Sequence, residues 1–356
     1  MEKSMRGKVE PGQGTDLLQV AAFSCGLSLF WCCLFAGLAP FGAPKGISFV
    51  WWGSIACHIA FFTCFALFSC FVAHLPFGVM GRQVSNNAKM LVAVSAAAFA
   101  AFGAATGAGL DIPVWVRIAV KALGGVGAAC LLFLWVPCIA LVGRETLIAS
   151  LSASAIGGSV FALGLDAMEG GAPCFFLAAA ALACLGLAEL VRRSDMEAVT
   201  EDGGRPPRPA GDAGISLDES RKNAQLSWAF GIINVIYGVV FGVGAGNILQ
   251  VGKGMATSFG CALLLAIGAA GAYLFARRSH GRVQQSTVLR MLFPVFVVAL
   301  VPLSFTSSEG WLFTGCNLLI LGCFSFLVLV SIAFEIKGAH ERGAAPLYFV
   351  GMSQTT

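Results

Sequence analysis

Two basic side chains, Arg117 and Lys121, stand one helical turn apart inside a long apolar stretch of the sequence. Residues four positions apart share a face of a helix, so both cations point to the same side. A charge within a membrane span is costly to bury and is therefore a functional-site hypothesis by default. If the pair faces a cavity, it favours an anionic ligand. The alternative is that both side chains extend to the headgroups at the end of the span.

Uncharged polar side chains in other apolar stretches are further candidates for lining a cavity. Asn234 and Tyr237, three residues apart, offer donors and acceptors on one side of a segment near mid-membrane. His58, Asn247 and Asn317 occupy similar settings. Each of these side chains alone more often makes an interhelical hydrogen bond. Together they can line a modest, mostly apolar cavity for a small molecule.

Metal, cofactor and catalytic patterns are missing from the sequence. The 13 cysteines all fall in apolar segments without a C-x-x-C pair, and the 4 histidines are scattered. Metal sites need clustered ligands, so we interpret the cysteines as small packing residues and expect neither a metal nor a cofactor. No P-loop, H-E-x-x-H, G-x-S-x-G or buried carboxylate pair occurs, so we expect no enzyme. Within the spans the acidic residues are Asp166 and Glu189, both near span ends, which gives little support to a proton relay.

The elements that must carry these residues are membrane-spanning helices. Hydrophobic residues make up 58% of the 356 residues and charged residues only 11%, against about a quarter charged in a soluble domain. Apolar runs repeatedly reach the roughly 20 residues that a helix needs to cross a bilayer, and they do not alternate as barrel strands would. The sequence therefore predicts an all-α, polytopic membrane protein with about ten transmembrane helices. The spans are expected at about 17–39, 48–74, 90–109, 114–142, 147–166, 173–191, 228–249, 256–276, 288–306 and 312–334.

The N-terminal segment allows two interpretations. Lys3, Arg6 and Lys8 precede the first span and resemble the basic region of a signal peptide. Because the apolar stretch is long and nine more spans follow, we interpret it as a retained signal anchor, with a cleaved signal peptide as the alternative.

Basic residues predict the orientation in the membrane, because Lys and Arg near span ends are retained in the cytoplasm. With the N-terminus inside, the outer loops contain only Lys45 and Lys253. We expect a multi-pass protein of the bacterial cytoplasmic (inner) membrane with the N-terminus and the central loop in the cytoplasm. The lipid bilayer is then the main partner, and the net charge of +4 reflects topology and gives no evidence that this chain binds nucleic acid. The inner segments contain Arg82, Lys89, Arg144, Arg192, Arg193, Arg205, Arg208, Arg221, Lys222, Arg277, Arg278, Arg282, Arg290, Lys337 and Arg342.

One long hydrophilic interval divides the chain into an N-terminal six-helix half (1–191), a cytoplasmic segment (192–227) and a C-terminal four-helix half (228–356). The middle segment is rich in Pro, Gly and mixed charges and is predicted to be a flexible linker, with a docking segment as the alternative. Four spans cannot mirror six, and Ala344–Gly351 resembles the start of an eleventh span. We expect a truncated chain or a degenerate member missing its last two spans. A complete ten-span protein is the alternative.

Glycine spacing predicts close helix packing in the seventh span. Gly238, Gly242 and Gly246 are four residues apart and form a small-residue stripe on one face, where two backbones can approach closely. The same stripe can act as a sliding surface in a protein that moves. Weaker glycine patterns occur in the third and fourth spans, and in the fourth they are expected to loosen the helix. These residues are Gly103, Gly107, Gly124, Gly125 and Gly127.

The layout of six spans, a long cytoplasmic loop and a Gly-rich span opening a second set resembles the major facilitator superfamily. That family has a Gly and basic residues in the loop between its second and third spans, and Gly78, Gly81 and Arg82 match this part. The acidic residue of the family pattern is missing here. The corresponding loop of the second half reads ARRSHGRVQQ, again without the acid. A twelve-span, two-half fold is what this resemblance implies.

A narrower resemblance is to membrane-bound regulators of actinobacteria, in which a facilitator-like domain precedes a LuxR-type helix-turn-helix. The Ala- and Gly-rich spans, the segment IYGVVFGVG and the stretch AAPLYFVGMSQTT look similar to that group. A helix-turn-helix does not occur in this sequence.

Two functions remain open. The first is a sensory or regulatory membrane domain that binds a small ligand between the two helical halves, as the membrane part of a LuxR-type transcriptional regulator. The alternative is a facilitator-type secondary transporter of a small solute, which can be anionic, with Arg117, Lys121, Asn234 and Asn317 around an alternating-access cavity.

Overall fold

The computed structural model describes residues 13–36, 80–141, 144–166 and 168–201, together with individual positions within 53–67, 267–278, 294–305 and 312–319. Long regular elements in these residues are all α-helices. The individual positions within 53–67 are helical too and belong to the second predicted span. The all-helical prediction is thus confirmed for this part of the chain. The helices are α1 (Gln13–Ala36), α2 (Met80–Gly107), α3 (Val114–Leu141), α4 (Arg144–Asp166) and α5 (Ala172–Glu201).

Three of these helices contain stretches long and apolar enough to cross a membrane: Val84–Gly107, Val114–Ile139 and Ala172–Arg192. The helix α3 coincides closely with the fourth predicted span. By contrast, α2 begins at Met80, well before the predicted span at about 90–109, and α5 continues beyond its apolar part to Glu201, into the first residues of the hydrophilic interval. A backbone hydrogen-bond ladder does not depend on apolar side chains, so a helix continues past the segment that suits hydrocarbon.

Contacts between helices fix their relative directions. Gly103, near the C-terminus of α2, packs against Gly171, the residue just before α5. At the other end of the pair, Lys89 of α2 contacts Glu189 of α5. These two helices are therefore antiparallel. By the same reasoning α2 and α3 are antiparallel, and α3 and α5 are parallel.

The second span runs parallel to α3. Gly53 lies against Lys121, and Cys57 lies against Gly125, so residue numbers rise together along the two helices. The helix α2 lies between them in the chain and runs the opposite way. The second span, α2 and α3 therefore alternate in direction.

The bundle has two ends, which we name after their basic residues. The Arg117 end holds the N-termini of α3 and α5, and the Arg192 end holds their C-termini. Of these three helices α3 is the most enclosed, with 67% of its apolar stretch buried, against 22% for α2 and 39% for α5. It therefore lies deeper in the described bundle than α2 and α5, which present much of their apolar surface outward. Outward apolar side chains such as Met90 and Leu182 are the kind that lipid covers.

Two hydrogen bonds link α1, α3 and α5 in the core. Trp135 of α3 is fully buried and donates its Nε1–H to Sγ of Cys184 in α5 at 3.2 Å. The Cys184 thiol donates in turn to the backbone oxygen of Gly26 in α1 at 3.2 Å. The Trp135 ring lies directly over Gly26 and meets Phe23 edge to face at 5.4 Å. Because Gly26 has no side chain, the large indole fits against the α1 backbone.

The helix α4 packs chiefly on α1. Gly158 lies against Trp31, and the indole Nε1 of Trp31 donates to the Ser154 hydroxyl at 3.1 Å. Ser154 donates to the backbone oxygen of Leu151 at 2.8 Å. Both buried polar groups are therefore satisfied, as an apolar setting requires.

Candidate functional site

A small cavity lies between the second span, α2, α3 and α5, and Cys33 of α1 also contributes to its wall. Its volume is about 30 Å³. A water molecule needs roughly 10–15 Å³ measured in this way, so the cavity accommodates a few atoms only. It is lined by Cys33, Cys57, Val92, Ser95, Ala96, Phe99, Lys121, Gly124, Gly127, Ala128, Leu131, Leu177 and Ala181.

Lys121 supplies the charge of this cavity. Its side chain is only 7% exposed, in the second turn of α3, and lies among apolar groups. The aliphatic stem packs on Gly53, where an added Cβ would come within 2.8 Å of Cδ. A cation in such a low-dielectric setting acts strongly on any anion that reaches it.

Two further polar groups border the cavity. Ser95 of α2 is 5% exposed and packs on Gly127 of α3, which leaves room for its hydroxyl between the helices. The thiol of Cys57 enters from the second span. The cavity thus combines one cation, one hydroxyl and thiol groups in an otherwise apolar wall, a set that can bind a small anion by charge and hydrogen bonds.

Arg117 takes a different position from Lys121. Its Nε–H donates to the backbone oxygen of Ile112 at 3.0 Å, at the connection that precedes α3. The side chain is half-buried at the Arg117 end and does not line the cavity. The two residues share a helix face, as their spacing predicts, but the longer Arg side chain turns back towards the end of the helix. The structure therefore places Lys121, and not Arg117, at the cavity.

The other predicted site residues lie outside the described residues. They are His58, Asn234, Tyr237, Asn247 and Asn317, with the glycine stripe of Gly238, Gly242 and Gly246. Sequence reasoning missed Ser95 and Cys57, because nothing in their local spacing reveals that separate helices bring them to Lys121. A serine within an apolar helix is the one weak signal that was present.

A second charged group lies at the Arg192 end. The carboxylate of Glu189 in α5 forms ion pairs with Lys89 Nζ of α2 at 2.7 Å and with Arg192 Nη2 at 2.8 Å. This Glu189 cluster is about a quarter exposed at the carboxylate and links two helices. Both carboxylate oxygens are paired with cations of the protein itself, so we interpret the cluster as a contact that stabilises the packing of α2 on α5. Within the described residues no three or more His, Cys, Asp and Glu side chains converge on a shared metal position.

No family model matches this chain, and no curated protein matches it.

Proposed function

We propose that this chain is a membrane-embedded sensory domain that binds a small anion, with Lys121 as the charged contact in the N-terminal half. The observation that carries the proposal is a cation, only 7% exposed, that borders a cavity inside an apolar helix bundle. Burying an ammonium group costs several kcal/mol, and a helix with methionine at this position would avoid that cost. A lysine at such a position is therefore a functional-site hypothesis, because interaction with a bound ligand offsets the cost of burying its charge.

The size of the cavity sets the class of ligand. About 30 Å³ admits a monatomic or few-atom anion, such as a halide, nitrite or formate, and excludes a sugar or an amino acid. The thiol and hydroxyl groups at the wall supply donors for such an anion. Binding then connects the second span, α2, α3 and α5, so the ligand favours the arrangement in which these helices are closely packed.

The wider assignment is also a proposal. We place the protein in the bacterial inner membrane with the Arg192 end in the cytoplasm, supported by the basic residues Lys89, Arg144 and Arg192 at that end. Ten spans in two facilitator-like halves, joined by the hydrophilic interval 192–227, would pass the change in packing to a cytoplasmic output. That output is proposed to be a DNA-binding module of the LuxR type.

The experiment is a thermal unfolding titration of the detergent-purified chain with sodium chloride, nitrite or formate, at ionic strength held constant with gluconate. An anion that binds only the folded state raises the unfolding temperature with concentration. We expect the wild type to respond, Lys121→Met not to respond, and Arg117→Met, one turn away and off the cavity, to respond like the wild type. An equal response of Lys121→Met and wild type would refute the site.

Reconstituted vesicles separate sensing from transport. Anion flux that depends on Lys121 would identify the facilitator-type transporter instead, whereas binding without flux supports the sensor.

A further inference from the structure

The Glu189 cluster, formed by Lys89, Glu189 and Arg192, has more positive charge than it uses. Two cations share one carboxylate, so the cluster has a net formal charge of +1. The Lys89 side chain is 28% exposed and the Arg192 side chain 42%. The buried Nε of Arg192 has no hydrogen-bond partner in the part of the chain that the structure describes. A lysine and an arginine have more N–H donors than one carboxylate accepts, so the cluster suits a further anion.

A shallow apolar groove continues from this cluster between α2 and α5, towards the Arg117 end. Ala93 of α2 and Gly186 of α5 each lie one turn from the cluster on this side and, because the helices are antiparallel, at about the same height in the bundle. Both residues are exposed, and nothing lies within 4 Å of a Cβ added to Gly186. Leu182 and Leu190, one turn to either side of Gly186, are about half exposed. Gly186 therefore forms a dip between two apolar side chains. We call this surface the α2–α5 groove.

The order of groups along this surface matches the order of groups in a phospholipid. Arg192 is the last residue of the apolar stretch of α5, at the height where headgroups meet a membrane span. The α2–α5 groove begins one turn deeper, at the height of the hydrocarbon. A soluble anion would use the charge and leave the groove empty, whereas an apolar helix would fill the groove and leave the charge. Basic pockets between membrane helices on the cytoplasmic side are typical sites for acidic headgroups.

We propose that the Glu189 cluster and the α2–α5 groove together bind one anionic phospholipid. Its phosphate accepts hydrogen bonds from Lys89 and Arg192, and one acyl chain lies over Gly186. The lipid then contacts both helices from outside and stabilises the packing of α2 on α5. The site rests on the proposal that these helices span a membrane, and it does not depend on anion binding at Lys121.

The test compares unfolding temperatures of the detergent-purified full chain in mixed micelles with dioleoyl phosphatidylglycerol or dioleoyl phosphatidylcholine. The two lipids have the same acyl chains and differ in the charge of the headgroup. A lipid that binds only the folded state raises the unfolding temperature. We expect phosphatidylglycerol to raise it by about 3–5 °C more than phosphatidylcholine does. Glycerol 3-phosphate has the phosphate without acyl chains and should not reproduce this difference.

The charge is tested by Arg192→Gln, which should lose most of the difference between the two lipids. Arg144→Gln is the matched control and should keep it. Arg144 begins α4, which packs chiefly on α1, so this variant loses one positive charge at the same end of the bundle but away from the α2–α5 groove. Arg192→Lys keeps the charge and should retain most of the difference. Each variant is compared with itself in the two lipids, so a change in its own stability cancels.

The groove is tested by Gly186→Leu, which fills the dip and should also lose most of the difference between the lipids. Gly164→Leu in α4 is its matched control, because nothing lies within 4 Å of an added Cβ there either. We expect this control to respond like the wild type. Lys121→Met should respond like the wild type too, so this site and the cavity are tested separately.

Four results would overturn the proposal. The first is an equal response of the wild type to both lipids, and the second is an equal loss in Arg192→Gln and Arg144→Gln, which would indicate unspecific attraction. The third is an undiminished response of Gly186→Leu, or the same shift with glycerol 3-phosphate, which would indicate a site for free phosphate. The fourth is a dimer, measured by light scattering, that dissociates in Gly186→Leu, which would assign the groove to a second copy of the chain.

Discussion

The close crossing of α3 with the second span makes Gly125→Ala the most informative substitution. The added Cβ would overlap the carbonyl group of Cys57, with the carbonyl carbon at 2.9 Å against an ordinary contact of 3.4–4 Å. Both partners are backbone, so no side chain can rotate away. The helices must separate by about 0.5–1 Å, a gap that already loses a quarter to a half of each dispersion contact. Overpacking of this kind costs about 1–3 kcal/mol.

Gly186→Ala in α5 is the matched control. Gly186 is also within an apolar helix, but nothing lies within 4 Å of an added Cβ there. Both substitutions gain up to about 1 kcal/mol of intrinsic helix stability, so the difference between the two variants isolates the crossing. Reversible unfolding in mixed micelles should show Gly125→Ala less stable than Gly186→Ala by about 1–3 kcal/mol. Equal stabilities would mean that the second span does not cross α3 at Gly125.

Three further substitutions test other parts of the bundle by the same unfolding measurement. Glu189→Gln should lower the free energy of unfolding by only about 1 kcal/mol, because the Glu189 cluster is partly exposed and screened by solvent. This loss should be smaller at high salt. As a control, Glu169→Gln in the exposed connection before α5 should have little effect. Trp135→Phe should lower the free energy of unfolding by about 1–3 kcal/mol, because it loses the hydrogen bond to Cys184 and has a smaller ring. Its control is Trp115→Phe, at a side chain that is 71% exposed, which should lower the free energy of unfolding by under about 0.5 kcal/mol. Gly170→Ala should cost about 1–2 kcal/mol, because Gly170 has a φ of 62° in open space; Gly164→Ala, in the regular part of α4, should not. A stable Gly170→Ala variant would contradict the left-handed backbone at that turn.

Hydropathy predicts the interior of each described helix well, and its ends less well. The apolar stretch of α3 fills almost the whole helix, so both ends are predicted within a residue. In α2 the first turns are polar, and in α5 the last turns are. Side chains there are held by contacts between helices, such as that of Lys89 with Glu189, which no local pattern contains.

The sequence likewise predicts only part of the candidate site. Lys121 is identified by the cost of a charge within a span, a property of one residue in its own segment. Its neighbours Ser95 and Cys57 depend on how three helices cross, which local spacing does not encode. Gly125 was expected to loosen α3, yet the structure places it at the closest approach to the second span. Glycine spacing alone does not distinguish a weak helix from a tightly packed one.

The partners of α1 have a consequence for biosynthesis. Its principal contacts are with α4 and α5, and the bond between Cys184 and Gly26 joins residues 158 positions apart. At about 5–20 residues per second, the ribosome needs roughly 8–30 s to make that partner after Gly26. If α1 spans the membrane as the sequence predicts, lipid takes the place of its final neighbours during that interval. The Ser28 hydroxyl does not need a partner from another helix, because it donates to the backbone oxygen of Ser24 at 2.8 Å within α1. In such a membrane α1 can satisfy this polar group on its own, and it would exchange lipid for protein when the later helices of the described bundle arrive.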